Sequence, residues 1–342
     1  MESILETMDY IPMNRPVRSN IFSIFSGLKQ FFFVDSSVHL HVSLQMWWGT
    51  LGTVRPFLPF DPVMDARQIY AALEKKSTDV MTLVRIITNR TNAQRQSIAT
   101  AYNNLTQKDL GAALKKALSG PLEELLLALM MTPAGFDASR LRQAMEGLGT
   151  DEEALLEVLC TRSPDQLRDI TVAYKEAYSR YLENDLIGET SKDFTSLVLA
   201  ILKKEEINRQ GVIDYQLIDQ DVRNLNDGVS GKKSDPAPWI QILTSRSLDH
   251  LNRVLSTLEE LKGEAVDKTI QKHFSGDLRL GLRILVRTIQ NTPLFLAQRL
   301  QACMKKNAVV RGILVARSEE DLLWVRVEFR KLANVSLYTT IQ

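Results

Sequence analysis

The feature that most limits the folds open to this chain is a repeat of about 70 residues that occurs four times. Each copy carries a short string around an arginine, and these arginines are spaced by 72, 84 and 71 positions: Arg90, Arg162, Arg246 and Arg317. The dipeptide Asp65-Ala66 also recurs as Asp137-Ala138, 72 positions later. A repeat of this length is typical of a small unit that buries its apolar face against neighbouring copies. The chain is therefore expected to fold as an array of four similar units.

These spacings divide the chain into segments. We expect a leader, four repeats and a polar linker that accounts for the wide second gap: leader 1–54, repeat 1 over 60–131, repeat 2 over 132–203, linker 204–212, repeat 3 over 213–289 and repeat 4 over 290–342. The fourth repeat is truncated, since it lacks the apolar final helix of the others. We therefore expect Trp324, Val325 and Phe329 to be partly uncovered, as a patch that favours a partner or aggregation.

The second repeat shows its helices most clearly. Leu141, Ala144 and Met145 recur at helical spacing, and Gly147 and Gly149 then end that helix.

Four more helices are predicted after this first one. Thr150 with Glu153 fits a capping box for the second helix, and Ser163-Pro164 fits the start of the third. The fourth helix carries Leu182–Leu186, and the last runs from Phe194 to Leu202. No segment shows sustained period-two alternation, so the sequence predicts an all-α fold with about five helices in each repeat.

Composition and charge exclude several functions. Lys plus Arg number 42 and Asp plus Glu 41, which is unlike the basic excess of a nucleic-acid-binding protein. None of the four histidines has the spacing of a zinc protease motif, and no phosphate loop or nucleophile elbow is present, so we expect no enzyme activity. Cys160 and Cys303 lie in apolar helical runs and are expected to be buried thiols in a reducing, cytoplasmic compartment.

The leader leaves three interpretations open. Its apolar stretch Ile21–Val54 is interrupted by charged residues and histidines, and its acidic start is unlike a signal peptide. The leader is either loosely attached or disordered, or it carries a helix within residues 1–12 that binds a protein partner, or it anchors the chain to a membrane.

Four units of five helices with a Gly-x-Gly-Thr loop resemble the annexin family over about residues 55–342. Four strings carry the resemblance: Asn92-Ala-Gln-Arg95, Gly147-Leu-Gly-Thr-Asp-Glu152, Ile213-Asp-Tyr-Gln-Leu-Ile-Asp-Gln-Asp221 and Ala316-Arg-Ser-Glu319. The third string is similar to the calpactin heavy-chain branch. The resemblance implies a curved helical disc whose convex face binds Ca²⁺ and, through it, acidic phospholipid. It also implies a peripheral location on the plasma membrane or on vesicles.

The family's calcium ligands can be carried over completely only to repeat 2. There the backbone carbonyls of Met145, Gly147 and Gly149 would bind the ion together with the carboxylate of Glu189. Carbonyl and carboxylate oxygens are the ligands that Ca²⁺ prefers. The alternative interpretation of this loop is a glycine helix stop before a capped helix.

The corresponding positions of the other repeats have lost these ligands. In repeat 1 they are Leu73, Lys75, Ser77 and Ala117. In repeat 3 they are Val229, Gly231, Lys233 and His273. In repeat 4, the spacing of the landmark residues indicates that four residues are missing where the loop belongs. Direct attraction of Lys232-Lys233 to lipid is one alternative to a solvated surface at the repeat 3 loop.

A second, weaker calcium site is predicted at the end of repeat 1. The carbonyls of Lys115 and Leu118 with the carboxylate of Glu123 resemble the family's minor sites. Alternatively, Glu123 only interacts with the dipole of the helix that follows.

Two functions remain open for a chain with these repeats. The first is calcium-dependent binding to acidic phospholipid membranes through the single loop of repeat 2. The second is a degenerate helical scaffold that binds protein partners or membranes without calcium regulation.

Overall fold

The computed structural model describes residues 51–341 apart from Leu148 and residues 206–212. Within this part of the chain the fold is all-helical, with eighteen helices and no strand. This confirms the all-α prediction. Residues 1–50, most of the predicted leader with its proposed partner-binding helix, lie outside the described residues, as does most of the predicted linker.

Repeats 1 and 2 each contain five helices. Those of repeat 1 are α1 Pro62–Glu74, α2 Val80–Thr88, α3 Asn92–Thr106, α4 Leu110–Ala117 and α5 Gly120–Met130. Those of repeat 2 are α6 Pro133–Ala144, α7 Glu152–Thr161, α8 Pro164–Tyr178, α9 Leu182–Glu189 and α10 Lys192–Leu202. The third helix of repeat 2 begins as its sequence indicates, with Ser163 in a capping box with Gln166 and Pro164 in the first turn.

Repeats 3 and 4 share one long helix. Repeat 3 contains α11 Tyr215–Ser230, α12 Ala237–Ser245, α13 Leu248–Lys262, α14 Val266–His273 and the first part of α15 Gly276–Cys303. Repeat 4 contains the rest of α15, α16 Asn307–Arg317, α17 Leu322–Ala333 and the short α18 Leu337–Ile341. Helix α15 is kinked at Asn291, whose backbone is not helical, one residue after the repeat boundary expected at 290.

In each of the first three repeats, the recurring arginine forms an ion pair with an aspartate of the same repeat. Arg90 donates to Asp65 at 2.7 and 3.0 Å, and Arg162 donates to Asp137 at 2.6 and 3.0 Å. Arg246 makes the same pair of bonds to Asp221. Each pair ties the third-helix junction to the first helix of its repeat, and removal of one partner from a buried pair typically costs about 3–5 kcal/mol.

Repeat 4 uses its arginine differently. Leu296 stands where the other repeats have the aspartate, and Arg317 instead pairs with Asp321 one turn further on, at 2.7 Å. Within the described residues, repeat 4 has no fifth helix.

The expected exposure of helix α17 is only partly observed. Val325 and Phe329 are buried at 0% and 1% exposure, so their prediction as uncovered residues was wrong. Helix α17 packs against α15, which covers this stripe without a fifth helix. Trp324 is 46% exposed, as predicted.

The repeats also contact one another. Helix α16 of repeat 4 packs against α5 of repeat 1 and α6 of repeat 2, while α10 of repeat 2 packs against α12 and α15. The end of the predicted leader joins this assembly, because Thr53 and Val54 are buried and their backbone N–H groups donate to the carbonyl of Ser318. Leu51, the first described residue, is also attached to repeat 4, because its carbonyl accepts from the N–H of Leu323 at 3.0 Å.

Cys160 and Cys303 are free and buried, as predicted. Burial raises the pKa of the Cys160 thiol to about 12. None of the described helices is long and apolar enough to cross a bilayer.

Candidate metal centre

The six residues Met145–Thr150 form a closed loop between helices α6 and α7. The loop is closed by one backbone hydrogen bond, in which Asp151 N–H donates to the carbonyl of Ala144 at 2.8 Å. Gly147 and Gly149 have φ angles of +105° and +90°, which side-chain-bearing residues rarely adopt. A Cβ atom at either glycine would meet no atom within 4 Å, so the loop backbone faces open space.

Glu189 lies beside this loop, although 39 positions separate it from Thr150. The Thr150 hydroxyl lies 3.2 Å from Oε2 of Glu189 and 3.3 Å from its backbone carbonyl. The structure therefore brings the distant carboxylate to the loop that carries Gly147 and Gly149.

Thr150 was wrongly predicted as the cap of helix α7. The cap is Asp151, whose carboxylate accepts from the N–H of Ala154 at 3.0 Å. Both residue types cap helices well, but the bond from Asp151 to Ala144 ends the loop one residue later. Thr150 is left free to contact Glu189.

An ionic cluster around the buried Asp185, one turn before Glu189, holds helix α9 against its neighbours. Asp185 accepts hydrogen bonds from Tyr174 of α8 at 2.6 Å and from Arg180 at 2.6 Å, and Arg142 of α6 lies 3.5 Å away. The hydrogen bond from Arg180 is the main cause that lowers the pKa of Asp185, and burial opposes it. Burial, followed by the bond to Asp185, raises the pKa of Tyr174 to about 12.

The sequence motifs did not reveal this cluster. Its signal is present, because Asp185 interrupts the apolar inward stripe of Leu182 and Leu186, and a buried carboxylate needs charged or hydrogen-bonding partners. The corresponding positions of repeats 1 and 3 are Ala113 and Thr269, so the cluster belongs to repeat 2.

The same closing bond defines the corresponding loop of every repeat. In repeat 1 Asp79 donates to Ala72 at 3.0 Å, and in repeat 3 Asp235 donates to Gly228 at 2.8 Å. In repeat 4 the counterpart runs from Lys306 to Cys303 at 2.8 Å and encloses a turn shorter by four residues. This confirms the inferred deletion.

Repeats 1 and 3 retain the loop but not the ligands. In repeat 1, Lys75 pairs with Asp79 at 2.6 Å within the loop. In repeat 3, Ser234 lies 3.5 Å from Nδ1 of His273, and these two residues are 39 positions apart like Thr150 and Glu189. A hydroxyl and an imidazole thus occupy the places of the hydroxyl and the carboxylate of repeat 2.

The residues of the predicted minor site lie at the junction of helices α4 and α5. Lys115 is in the last turn of α4, Leu118 follows its end, and Glu123 is in the first turn of α5. Gly120 lies between Leu118 and Glu123 and has a φ of +67°, a backbone conformation that residues with side chains rarely adopt.

The donors in the repeat 2 loop fit a hard cation bound mainly by backbone oxygens. Among the described residues, no three His, Cys, Asp or Glu side chains converge into a metal cluster. A softer metal such as zinc needs such a set, whereas Ca²⁺ accepts backbone carbonyls completed by one bidentate carboxylate and water.

Comparison with known proteins identifies the family. The annexin family model matches residues 64–129, 136–201 and 220–285. Annexin A9 of Mus musculus is 37% identical over 299 residues, which are 86% of this chain and 86% of that protein. The solved structure of annexin III superposes with a TM-score of 0.82 at 36% identity, covering 85% of this chain and 92% of the other. The structure of calcium-bound annexin (Sm)1 shares the fold, with a TM-score of 0.76 at 24% identity, covering 85% and 88% of the two chains.

The family model matches three segments of the chain, and mouse annexin A9 and annexin III each match over more than four fifths of it. The resemblance to the calpactin heavy-chain branch stays a prediction. The chain belongs to the annexin family.

Proposed function

We propose that this protein binds acidic phospholipid membranes in a calcium-dependent way through the loop of repeat 2. The observation that supports this most is the approach of Glu189 to the loop Met145–Thr150, where its carboxylate meets Thr150 at 3.2 Å. Annexins are generally non-enzymatic proteins that bind phospholipid when calcium is present, and this proposal assigns that activity to one loop.

The proposed ligands are the carbonyls of Met145, Gly147 and Gly149 and the carboxylate of Glu189. Ca²⁺ takes about 6–8 oxygens, and three carbonyls with a bidentate carboxylate would supply about five of them. The remaining positions are open to water or to a phosphate oxygen of a lipid. Bridging by the cation explains how a chain of net charge +1 can bind a negative surface.

Three residues are proposed to position these ligands rather than to bind the ion. Asp185 ties helix α9 to Tyr174 and Arg142, which fixes the helix that ends at Glu189. A rigid carboxylate loses less conformational entropy when it binds an ion than a mobile one does.

The loss of ligands in the other repeats predicts weak membrane binding. Several sites on one face raise overall affinity about 10²–10⁴-fold through effective concentration, and this chain keeps one complete site. The junction of Lys115, Leu118 and Glu123 is proposed as a minor site that adds little. We expect a higher requirement for calcium or acidic lipid than in a four-site annexin, and a peripheral location on the cytoplasmic side of plasma or vesicle membranes.

Sedimentation with phosphatidylserine vesicles across a calcium titration tests the assignment. Glu189→Gln should shift the titration to much higher calcium, whereas Glu176→Gln, which removes an exposed carboxylate from helix α8, should behave as wild type. Equal calcium-dependent binding by wild type and Glu189→Gln would refute the site.

The second candidate is a scaffold that binds protein partners or membranes without calcium regulation. The loss of ligands from three of the four loops favours it. Ala117 and His273 stand where repeat 2 has its carboxylate, and the turn before Lys306 is shorter by four residues. Binding by the wild type that a chelator leaves unchanged at every lipid composition would support this function over the first.

A further inference from the structure

The loop of repeat 3 keeps the closing bond of a calcium loop, but basic side chains stand where repeat 2 has its calcium ligands. Its closing bond, from Asp235 to Gly228, has the same length of 2.8 Å as the bond that closes the repeat 2 loop. His273 stands beside Ser234 as Glu189 stands beside Thr150. Lys232 and Lys233, both exposed, lie within this loop, between Gly228 and Asp235.

The charges of the two loops can be compared directly. At repeat 2, the charge of Glu189 and that of a bound Ca²⁺ add to +1. At repeat 3, Lys232 and Lys233 give +2 without any ion.

The acidic residues around the two loops do not reverse this comparison. Glu146 of the repeat 2 loop, which pairs with Arg142 at 2.7 Å, is replaced by Ser230 in repeat 3. Asp235 of repeat 3 corresponds to Asp151 of repeat 2, and Asp277 corresponds to Asp193, so each loop has the same two aspartates nearby. The Asp235 carboxylate also accepts from the N–H of Ala237 at 3.0 Å.

Four charged side chains line an open cavity of about 410 Å³ beside His273. Lys233 belongs to the loop, Asp277 to the start of α15, and Lys192 with Asp193 to the start of α10. On helix α14, Lys272 is already paired with Glu264 at 2.5 Å. The cavity therefore holds two lysines and two aspartates, and Lys232, next to Lys233 in the chain, adds a further positive charge to the loop.

This cavity also places the basic loop next to the repeat 2 site. Ser191 and Lys192, which line it, follow Glu189 by two and three positions. A membrane surface that meets the end of helix α9 would therefore meet Lys233 and His273 as well.

We propose that the repeat 3 loop binds the phosphate of anionic lipid headgroups directly, without calcium, through Lys232 and Lys233. The charged lysine side chains would attract lipid phosphate at this position, as a bound Ca²⁺ would in repeat 2. The inference rests on the proposed membrane-binding function only in that both loops meet the same bilayer, and it is tested without calcium.

The experiment is sedimentation of the full chain with phosphatidylserine vesicles in excess chelator at low ionic strength and pH 7.5. Wild type should bind. The double variant Lys232→Gln with Lys233→Gln should bind roughly twentyfold more weakly, since each lysine near an anionic surface contributes about a fivefold factor.

A charge-matched control, Lys175→Gln with Lys331→Gln in helices α8 and α17, should lose much less binding than the loop variant. Equal losses in the two double variants would contradict the proposal, because they would reflect net charge alone.

Two further measurements distinguish a lipid surface from free phosphate, and the repeat 3 loop from the repeat 2 loop. Inorganic phosphate at matched ionic strength should leave vesicle binding in place, and complete displacement would contradict a site for lipid surfaces. Glu189→Gln should bind in chelator at least as strongly as wild type, because no calcium is present and the variant removes a negative charge from the surface that meets the lipid, so a weaker binding would contradict the repeat 3 proposal. If wild type fails to bind in chelator, the repeat 3 proposal is wrong, while the calcium titration of repeat 2 still stands or falls on its own.

Discussion

Replacing Gly149 with alanine tests the role of the repeat 2 loop backbone most sharply. Gly149 has a φ of +90°, and an added Cβ would meet no atom within 4 Å, so the substitution acts through backbone conformation alone. For an L-residue a left-handed backbone costs about 1–2 kcal/mol. The loop is exposed, and without calcium we expect it to relax to a negative φ.

Calcium binding would then have to restore the strained backbone. A strain of about 1–2 kcal/mol taken from the binding free energy lowers calcium affinity about 5–30-fold. The unfolding free energy in chelator should change little, because the relaxed loop carries no strain. Calorimetric calcium titrations in the presence of phosphatidylserine vesicles measure the first quantity, and urea unfolding in chelator measures the second.

Gly263→Ala provides the matched control. Gly263 has a φ of +65° at the end of helix α13 and an equally open Cβ position, but its N–H is bonded to the carbonyl of Glu259 at 2.9 Å. The control cannot relax without losing that bond, so it should lose about 1 kcal/mol of stability and keep its calcium affinity. An unchanged calcium requirement in Gly149→Ala would refute the role assigned to the loop carbonyls.

Three further results are expected. Asp137→Asn should lower the unfolding free energy at pH 7 by about 3–5 kcal/mol, because Arg162 loses its buried partner. Burial is the largest single influence and would raise the pKa of Asp137, but the charge and hydrogen bonds of Arg162, with the charges of Arg140 and Arg317, together outweigh it and lower the pKa below 3.8. The stability that Asp137 confers is therefore complete above that pH and is lost on acidification below it. Urea unfolding of both proteins at falling pH should show their difference shrinking only there. Cys160, with a thiol pKa raised to about 12 by burial, should react with a thiol reagent only on unfolding, and rapid labelling of the native protein at pH 8 would contradict its burial. Phe329→Ala should cost about 3–5 kcal/mol in urea unfolding, whereas a loss below about 1 kcal/mol would mean that α15 does not cover helix α17.

The parts of the fold that depend on repetition could be predicted from the sequence. The recurring arginine, and an aspartate 25 positions before it in three repeats, indicate the number and length of the units, and the structure joins Arg162 to Asp137. The shortened turn before Lys306 was also predictable, because a deletion changes the spacing of landmarks on either side of it.

The details that depend on a choice between similar residues were not predictable. Thr150 and Asp151 are both good helix caps, and only the backbone bond from Asp151 to Ala144 decides between them. The burial of Val325 was missed because it depends on how helix α15 crosses α17, which local periodicity does not contain.

At the site, spacing predicted which residues meet but not what supports them. Thr150 and Glu189 are 39 positions apart in the sequence, and their side chains are in contact, as expected. The cluster of Asp185 with Tyr174 and Arg142 joins three helices, and a contact among separate helices leaves no periodic signal in the sequence.

The most direct test of the proposed calcium site is a count of bound ions. Equilibrium calcium binding should be measured for wild type and Glu189→Gln in the presence of phosphatidylserine vesicles. We expect one strongly bound ion per chain in wild type and its loss in the variant, with any ion at the junction of Lys115 and Glu123 bound much more weakly. Retention of the strongly bound ion by Glu189→Gln would contradict the assignment of the metal centre to repeat 2.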